Sequence, residues 1–356
     1  MGKNHNTFID IIKGIAIFLM LWGHCIQYCV AGSEIDFFEN IVFKFIYSFH
    51  MPLFMLVSGY LFFFSFSKRS LKELLIHRVQ SLLQPIVFCS FFNHLVTTVL
   101  FQAMTGNFGS AFNGNWLSNI SSLWFLWSVL AVSVVTAIVC KKAKRLPEQI
   151  ILLLLMTPIV AIFPNANQNI YMYPYFVIGF YFAQYKDKLP AFLHKMKYLS
   201  LPLFPVLLGF YEKKHYIYTT GLLPNNDYSL PQILAIDTYR WLIGLVGSVF
   251  VITLLQIIYQ RVTVKLKQPL ISTGLSAIGK NSLQIYAVSV PFLSYYLSKI
   301  FPKVLSLLNI ENIFAKNIFI YNFVFTLLLA VAYAVALYFI VKLLDKAKIS
   351  KIMFRR

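Results

Sequence analysis

Ten stretches of mostly apolar residues, joined by short polar segments, follow one another along almost the whole chain. A helix needs about 20 apolar residues to cross the hydrocarbon core of a bilayer, and most of these stretches reach or approach that length. The pattern predicts an all-α fold, a polytopic transmembrane helical bundle of about ten spans. The predicted spans are 8–30, 41–66, 79–103, 120–140, 149–163, 171–185, 198–211, 238–259, 282–300 and 317–344.

The first span carries polar residues at Asp10, Lys13, His24 and Gln27. Lys13 and His24 are 11 positions apart, which at about 100° per residue places them on one helix face, roughly 16 Å apart along the axis. An ionisable group at the bilayer centre costs about 2–3 kcal/mol or more, so such groups face protein or a water-filled cavity. We therefore expect one face of this helix to line a site.

Composition agrees with the span pattern. Of the 356 residues, 59% are hydrophobic and only 12% are charged, whereas soluble domains carry about 25% charged residues. No polar stretch is long enough for a separate soluble domain. We therefore expect residues 1–356 to form a single integral-membrane domain.

The net charge of +19 would suggest a nucleic-acid partner if the chain were soluble. Here the basic residues lie in short loops between apolar spans, so we expect no nucleic-acid partner. With ten spans, 24 of the 31 Lys and Arg residues lie on the side of the two termini and 7 on the opposite side. Lys and Arg accumulate on the cytoplasmic side, which predicts that both termini are cytoplasmic in a multi-pass protein of the cell (inner, cytoplasmic) membrane.

The four cysteines lie in or at the ends of apolar spans, where we interpret them as small apolar filler. Cys25 and Cys29 are four positions apart, but no His or acidic residue joins them at the spacing of a metal site. We predict no metal.

Four short motifs occur in order along the chain: Asp10-x-x-Lys13-Gly14 with Gly23-His24, Phe49-His50-Met51-Pro52-Leu53-Phe54 with Ser58-Gly59-Tyr60, Trp124-Phe125-Leu126, and Gly279-Lys280-Asn281-Ser282-Leu283-Gln284-Ile285-Tyr286. Together they resemble the acyltransferase-3 family of membrane proteins, which moves acyl groups, most often acetyl from acetyl-CoA, onto sugar hydroxyls of surface glycans. The resemblance implies an enzyme with acyl-CoA donor, glycan acceptor and membrane lipid as partners and no bound cofactor.

Two positions depart from the family pattern. The family often has Arg-x-x-Arg at the start of the third helix, and here Arg78 keeps the first arginine while Ser81 replaces the second. The family often has His three residues after the ninth-helix Tyr, where this chain has Ser289.

Acyl transfer to an alcohol needs a base for the hydroxyl proton, and imidazole titrates near neutral pH. The resemblance implies that His24 is this base, and it makes Lys13 and Asp10 further catalytic candidates. Lys13 is too far along the helix to reach the same proton. It would hold donor phosphate, pair with Asp10, or extend to the cytoplasmic interface.

The remaining candidates bind donor or acceptor. Cytoplasmic Lys68, Lys72 and Arg78 would attract the phosphates of CoA, or would serve only as charges that set topology. His50, Trp124 and Tyr286 would line the acceptor site or channel, although Trp124 also fits an interface anchor.

Three alternatives remain open at this point. His94 lies at similar predicted depth and is the rival base. A non-enzymatic transporter or exporter of a glycan or lipid-linked glycan precursor would share the basic loops and polar helix faces. A structural subunit of a glycan-synthesis complex would tolerate loss of His24.

Overall fold

The computed structural model describes residues 7–29, 36–105, 116–265, 270–292, 303, 306–307 and 317–354. Within these ranges the chain is helical and contains no β-strand. The α-helices are α1 (Thr7–Tyr28), α2 (Ile41–Phe66), α3 (Leu71–Thr105), α4 (Trp124–Lys142), α5 (Leu146–Leu155), α6 (Thr157–Ala161), α7 (Ala166–Tyr185), α8 (Ala191–Met196), α9 (Ser200–Gly209), α10 (Ile217–Thr220), α11 (Leu230–Lys265), α12 (Leu270–Lys280), α13 (Ser282–Phe292), α14 (Leu327–Lys346) and α15 (Ile349–Met353). Short 3₁₀ segments lie at Phe37–Glu39, Trp116–Leu123, Lys186–Lys188, Lys197–Leu199 and Lys213–His215, and a π-helical stretch at Ile320–Thr326 leads into α14.

Six helices in the described part of the chain are long and apolar enough to cross a membrane. They correspond to the first, second, third, fourth, eighth and tenth predicted spans. The chain is thus a membrane protein whose described part is helical, as the apolar pattern predicted. The six segments are Thr7–Tyr28, Ile41–Phe66, Leu71–Leu95, Ile120–Lys142, Leu230–Arg261 and Ile320–Lys346.

The other four predicted spans correspond to shorter helices. The fifth is divided between α5 and α6, where Pro158 fits the first turn of α6 because proline lacks the N–H that a helix start leaves unbonded. The sixth is the 20-residue α7, and the seventh is the 10-residue α9. The ninth is described as α13 as far as Phe292, and residues 293–300 lie outside the described residues. The count of ten spans and the location of the termini stay predictions.

The third helix begins earlier than predicted. We expected a basic loop as far as Arg78, but α3 begins at Leu71 and includes Lys72 and Arg78. The reason is a capping box. The backbone N–H of Ser70 donates to the Glu73 carboxylate at 3.0 Å, and the N–H of Glu73 donates to the Ser70 hydroxyl at 3.4 Å.

The helix α11 also begins earlier than predicted, because the expected loop 212–237 ends at Ser229. The Ser229 N–H donates to Gln232 Oε1 at 2.9 Å, and its hydroxyl donates to the same atom at 2.8 Å. Ser with Gln three residues later is a helix-start pattern. The resulting α11 is 36 residues long.

The chain forms two compact units. The first unit comprises Met1–Gly23, Asp36–Ser67 and Ile170–Ser282, and the second comprises His24–Ile35, Lys68–Asn169 and Leu283–Arg356. Each unit is therefore discontinuous in sequence, and α1 contributes to both. The prediction of one integral domain stays a prediction.

Close backbone approach at glycines holds helices of the first unit together. A Cβ added to Gly59 of α2 would strike the carbonyl oxygen of Phe176, and one added to Gly179 of α7 would strike that of Leu56. The two glycines thus make the contact between α2 and α7 reciprocal. Small residues let helix backbones approach in this way in membrane proteins.

Close backbone approach at glycines also joins α1 to α12 within the first unit. A Cβ on Gly14 would strike the carbonyl oxygen of Leu275, and one on Gly279 would strike that of Asp10. Gly14 and Gly279 belong to two of the four motifs that carry the family resemblance. The sequence motifs at these positions therefore mark a helix crossing.

In the second unit α3 packs along α4, and buried Asn169 ties the short helix α6 to α4. The Asn169 amide donates to the carbonyls of Val160, Phe163 and Pro164 at 3.3, 3.2 and 3.0 Å. Its oxygen accepts from the Ser128 hydroxyl at 2.5 Å. The carbonyls at the end of α6, which a helix cannot bond internally, are thus satisfied.

Candidate active site

His24 lies half-buried near the end of α1, in the second unit. Its Nδ1 is 3.1 Å from Gln27 Oε1, and its ring stacks on Tyr28 with centroids 5.4 Å apart and planes 5° apart. Residues three and four positions on lie on the same helix face, which is why these two side chains reach the imidazole.

The contact with Gln27 decides which ring nitrogen of His24 carries the hydrogen. An amide oxygen only accepts hydrogen bonds, so Nδ1 must donate to it. In the neutral imidazole the lone pair is then on Nε2. This is the form that can take a proton from a hydroxyl group.

Asp10 and Lys13 form an ion pair in the first unit, with Lys13 Nζ 2.9 Å from Asp10 Oδ1. The Asp10 side chain is 3% exposed and that of Lys13 is 20% exposed. Of the alternatives for Lys13, pairing with Asp10 is the one seen here. The pair reduces the desolvation cost of both charges in this helix.

His50 is buried in α2 of the first unit. Its Nδ1 donates to the carbonyl oxygen of Ile46 at 2.8 Å, and its ring meets that of Tyr47 edge-on at 4.8 Å. Neutral His50, like His24, therefore has its lone pair on Nε2. The rival base His94 lies half-buried in α3.

The predicted donor-binding residues lie together in sequence in the second unit. Lys68 lies in the turn after α2, and Lys72 and Arg78 lie in the first turns of α3. Both lysines are exposed and Arg78 is half-buried. The hydroxyl of Ser81, which stands where the family often has a second arginine, donates to the Arg78 carbonyl at 3.3 Å.

Two motifs meet at the start of α4 in the second unit. The buried Tyr286 of α13 accepts a hydrogen bond from the backbone N–H of Phe125 at 3.3 Å, and the two rings pack edge-on at 5.8 Å. Trp124, the first residue of α4, is half-buried and packs edge-on against Phe125 at 6.0 Å. Helix starts leave N–H groups without an internal partner, so Tyr286 caps α4.

Ser289 makes two hydrogen bonds within the second unit. Its hydroxyl donates to the carbonyl of Tyr286 at 2.8 Å, and its own carbonyl accepts from the Tyr333 hydroxyl at 3.2 Å. Ser289 is fully buried. At this position the chain makes local hydrogen bonds with a hydroxyl where the family often has an imidazole.

Asp237 and Arg240 form an ion pair at 2.8 Å, which their spacing of three residues on a helix allows, but sequence reasoning missed what else Arg240 does. The guanidinium is 1% exposed and donates to the carbonyls of His215, Gly221 and Lys214 at 3.0, 2.8 and 3.3 Å. These acceptors belong to the segment 213–221 of the same unit. No side-chain pattern marks backbone acceptors, so sequence offered no signal for this anchor.

His215 in the anchored segment is held neutral. Burial, followed by the charge of Lys214, lowers the pKa of His215 to about 4. Its Nδ1 accepts the backbone N–H of Glu212 at 2.9 Å. The ring therefore serves the fold of this segment near neutral pH.

A family model described as an acyltransferase domain matches residues 6–341 of the chain. The chain is 30% identical over 246 residues to the nodulation protein NolL of Mesorhizobium japonicum, covering 65% of this chain and 63% of that protein. It is 31% identical over 195 residues to NolL of Sinorhizobium fredii, covering 51% and 50% of the two chains. The matches thus span between half and two thirds of the length of these relatives. No solved structure matches the chain.

Proposed function

Because the chain belongs to the acyltransferase-3 family, we propose that it transfers a short acyl group, acetyl from acetyl-CoA, to a sugar hydroxyl of a surface or exported polysaccharide. The chain is a membrane acyltransferase by family and by its apolar helices. We propose the identity of the donor and acceptor, the roles of individual residues and the location in the cell (inner) membrane.

The observation that carries the proposal is the orientation of His24. Nδ1 of the imidazole donates to the Gln27 amide oxygen, so Nε2 carries the lone pair that a general base needs. The residue lies on a membrane-spanning helix that also carries Asp10 and Lys13. An imidazole in this form can deprotonate a weakly acidic alcohol near neutral pH.

The proposed reaction is a single displacement at the thioester. Nε2 of His24 removes the proton of the sugar hydroxyl as its oxygen attacks the acyl carbonyl carbon. The new C–O bond forms and the C–S bond breaks, and the thiolate of CoA takes the proton back from the imidazolium. The products are the sugar ester and CoA with a free thiol, and His24 ends neutral.

The donor is proposed to bind through the basic residues that begin the third helix. Lys68 and Lys72 are exposed and Arg78 is half-buried, so the three cations can approach phosphate groups at a surface. Arg78 offers a planar fork of donors that suits phosphate, and the lysines act as point charges.

His50, Trp124 and Tyr286 are proposed to line the path of the acceptor. His50 has its lone pair on Nε2 because Nδ1 is bonded to Ile46, so it can accept a hydrogen bond from a sugar hydroxyl. Tyr286 accepts the Phe125 N–H and keeps its own hydroxyl hydrogen to donate. The ion pair of Lys13 with Asp10 is proposed to support the polar face of α1.

The test measures the release of free thiol from acetyl-CoA by the purified protein. The acceptor in this assay is glycan from cells that lack the protein. A general base contributes about 10²–10⁴-fold, so His24→Ala should lose that factor in kcat. His24→Gln keeps hydrogen bonding without titration and should be nearly as inactive. A wild-type protein that releases no thiol would contradict the proposal and favour a transporter.

The other membrane histidines serve as internal controls in the same assay. His94→Ala should keep most of the wild-type rate, because the base is assigned to His24. His50→Ala should be intermediate, because it affects acceptor binding. If His94→Ala were inactive and His24→Ala active, the identity of the base would be wrong.

A further inference from the structure

We propose that Gln27 is a positioning residue, which holds His24 in the tautomer and orientation required of the base. This inference rests on the proposed function, because it gives Gln27 a role only if His24 removes a proton. Gln27 is outside the motifs that carry the family resemblance. In the sequence it stands out only as one of the polar residues of the first apolar span.

Two of the described contacts act on the His24 ring, and both come from the next turn of α1. Gln27 Oε1 accepts from Nδ1 at 3.1 Å, which limits rotation of the ring within its plane. Tyr28 lies parallel to the ring at 5.4 Å and 5°, which limits tilting of that plane. Together the two contacts limit both the rotation and the tilt of the ring that carries Nε2.

The tautomer matters as much as the direction. A neutral imidazole without a fixed partner carries its hydrogen on either nitrogen, and only one of the two forms has a lone pair on Nε2. In serine proteases a carboxylate accepts from the far ring nitrogen and selects the productive tautomer, and an amide that donates its N–H to that nitrogen instead leaves the wrong tautomer and lowers kcat about 10⁴-fold. Here an amide oxygen takes that place on the far nitrogen.

A neutral partner has a further consequence for the pH dependence of the reaction. A carboxylate stabilises the imidazolium by its charge, whereas the amide of Gln27 stabilises it only by one hydrogen bond. Gln27→Glu keeps an acceptor oxygen at this position and adds a negative charge. It should therefore preserve orientation and move the acid limb of the kcat profile to higher pH.

The experiment measures kcat and the donor KM by thiol release from acetyl-CoA in the purified protein between pH 5 and pH 9 (about two units either side of neutrality). Gln27→Leu removes the acceptor and should lower kcat about tenfold to hundredfold, a part of what a base contributes, with the donor KM unchanged. Gln27→Glu should recover most of kcat at alkaline pH, with its acid limb about one unit higher.

Gln256→Leu is the matched control. Gln256 is an amide on another membrane-spanning helix, α11, and it accepts a hydrogen bond from Lys197 at 2.6 Å. It touches none of the proposed site residues in the described contacts. Gln256→Leu should leave kcat and the pH profile of kcat as in the wild type. The two leucine variants are compared at equal amounts of protein, as determined by size-exclusion chromatography.

Three results would overturn the positioning role while leaving the proposed function intact. These are an unchanged kcat for Gln27→Leu, an equal loss in Gln256→Leu, or a Gln27→Glu variant that neither recovers activity nor shifts the acid limb. If Gln27→Leu does not accumulate, the pH profile of Gln27→Glu decides alone. A wild-type protein without thiol release would instead contradict the proposed function, and the role of Gln27 with it.

Discussion

At the scale of single residues, the two buried or half-buried histidines of α1 and α2 are held in the same way. Nδ1 of His24 donates to an amide oxygen and Nδ1 of His50 to a backbone carbonyl. Substitution of Ile46 would keep the carbonyl that holds His50, whereas substitution of Gln27 would remove the oxygen that holds His24. The chemistry proposed for His24 therefore depends on the identity of one further residue, Gln27.

The donor site is tested by Arg78→Ala. A hydrogen bond to a charged group contributes about 1.5–3 kcal/mol, so the apparent donor KM should rise about tenfold to hundredfold with little change in kcat. The measurement is the dependence of the initial rate on acetyl-CoA concentration. The donor KM of Arg78→Lys should lie between those of the wild type and of Arg78→Ala, because lysine keeps the charge and loses the planar fork.

Lys144→Ala is the control for the loss of any one cytoplasmic positive charge, because Lys144 is an exposed cation of another predicted cytoplasmic loop. It should leave the donor KM unchanged. If Arg78→Ala also left KM unchanged, the basic cluster would serve topology alone.

Part of this residue-level account could be predicted from sequence and part could not. The spacing of Lys13 and His24 placed both on one helix face, and Asp10 three residues before Lys13 allowed the ion pair that the structure contains. Four of the five described hydrogen bonds of Arg240 could not be predicted, since their acceptors lie in a segment about 20 residues away. Such contacts depend on the path of the backbone.

At the scale of secondary-structure elements, glycines determine how closely the helices approach. Gly14 and Gly279 place α1 against α12, and Gly59 and Gly179 place α2 against α7. In each pair the neighbour of the glycine is backbone, which cannot move aside as a flexible side chain can. These crossings, and not turns, explain the glycines of the Lys13-Gly14, Ser58-Gly59 and Gly279-Lys280 motifs.

Gly279→Ala tests the α1–α12 crossing. A Cβ at this position would lie 2.8 Å from the backbone nitrogen of Gly14 and still closer to the carbonyl of Asp10. Overpacking of this kind costs about 1–3 kcal/mol, so the variant should melt at a lower temperature than the wild type. Thermal unfolding of the purified protein in detergent measures the effect.

The same helix supplies the control. A Cβ on Gly274 would meet nothing within 4 Å, and alanine is favoured over glycine in a helix by about 1 kcal/mol. Gly274→Ala should therefore melt at or slightly above the wild-type temperature. Equal melting temperatures for Gly274→Ala and Gly279→Ala would contradict the close crossing.

Helix existence could be predicted better than helix boundaries. Long apolar runs predicted the helices that reach spanning length, because apolar length is a strong signal. The starts of α3 and α11 were predicted too late because the polar residues before each apolar run were assigned to loops. Ser70 with Glu73 and Ser229 with Gln232 were the available signals of an earlier start.

At the scale of the whole molecule, the apolar pattern and the charge bias carry different information. The pattern predicted an all-helical membrane protein, and six helices of spanning length are present in the described residues. The division into two units that interleave along the chain has no signal in the sequence, because it depends on which helices pack together. The orientation rests on the distribution of Lys and Arg.

Reporter fusions test that orientation. Fusions after Phe66 and after Cys140 should report the cytoplasm, and fusions within 106–115 should report the exterior, because the cytoplasmic side is predicted to hold 24 of the 31 basic residues. Alkaline phosphatase and green fluorescent protein give opposite readouts and serve as mutual controls. Finding the first two positions outside would reject the orientation and the cytoplasmic approach of the donor.

The central claim is that this membrane acyltransferase esterifies a glycan with His24 as its base. Mass spectrometry of surface glycan tests it most directly, in cells without the protein, with the wild type, and with His24→Ala at equal membrane abundance. The account predicts ester-linked acetyl groups on the glycan with the wild type alone, removable by mild alkali. Identical glycan in all three strains, or full acetylation with His24→Ala, would contradict it.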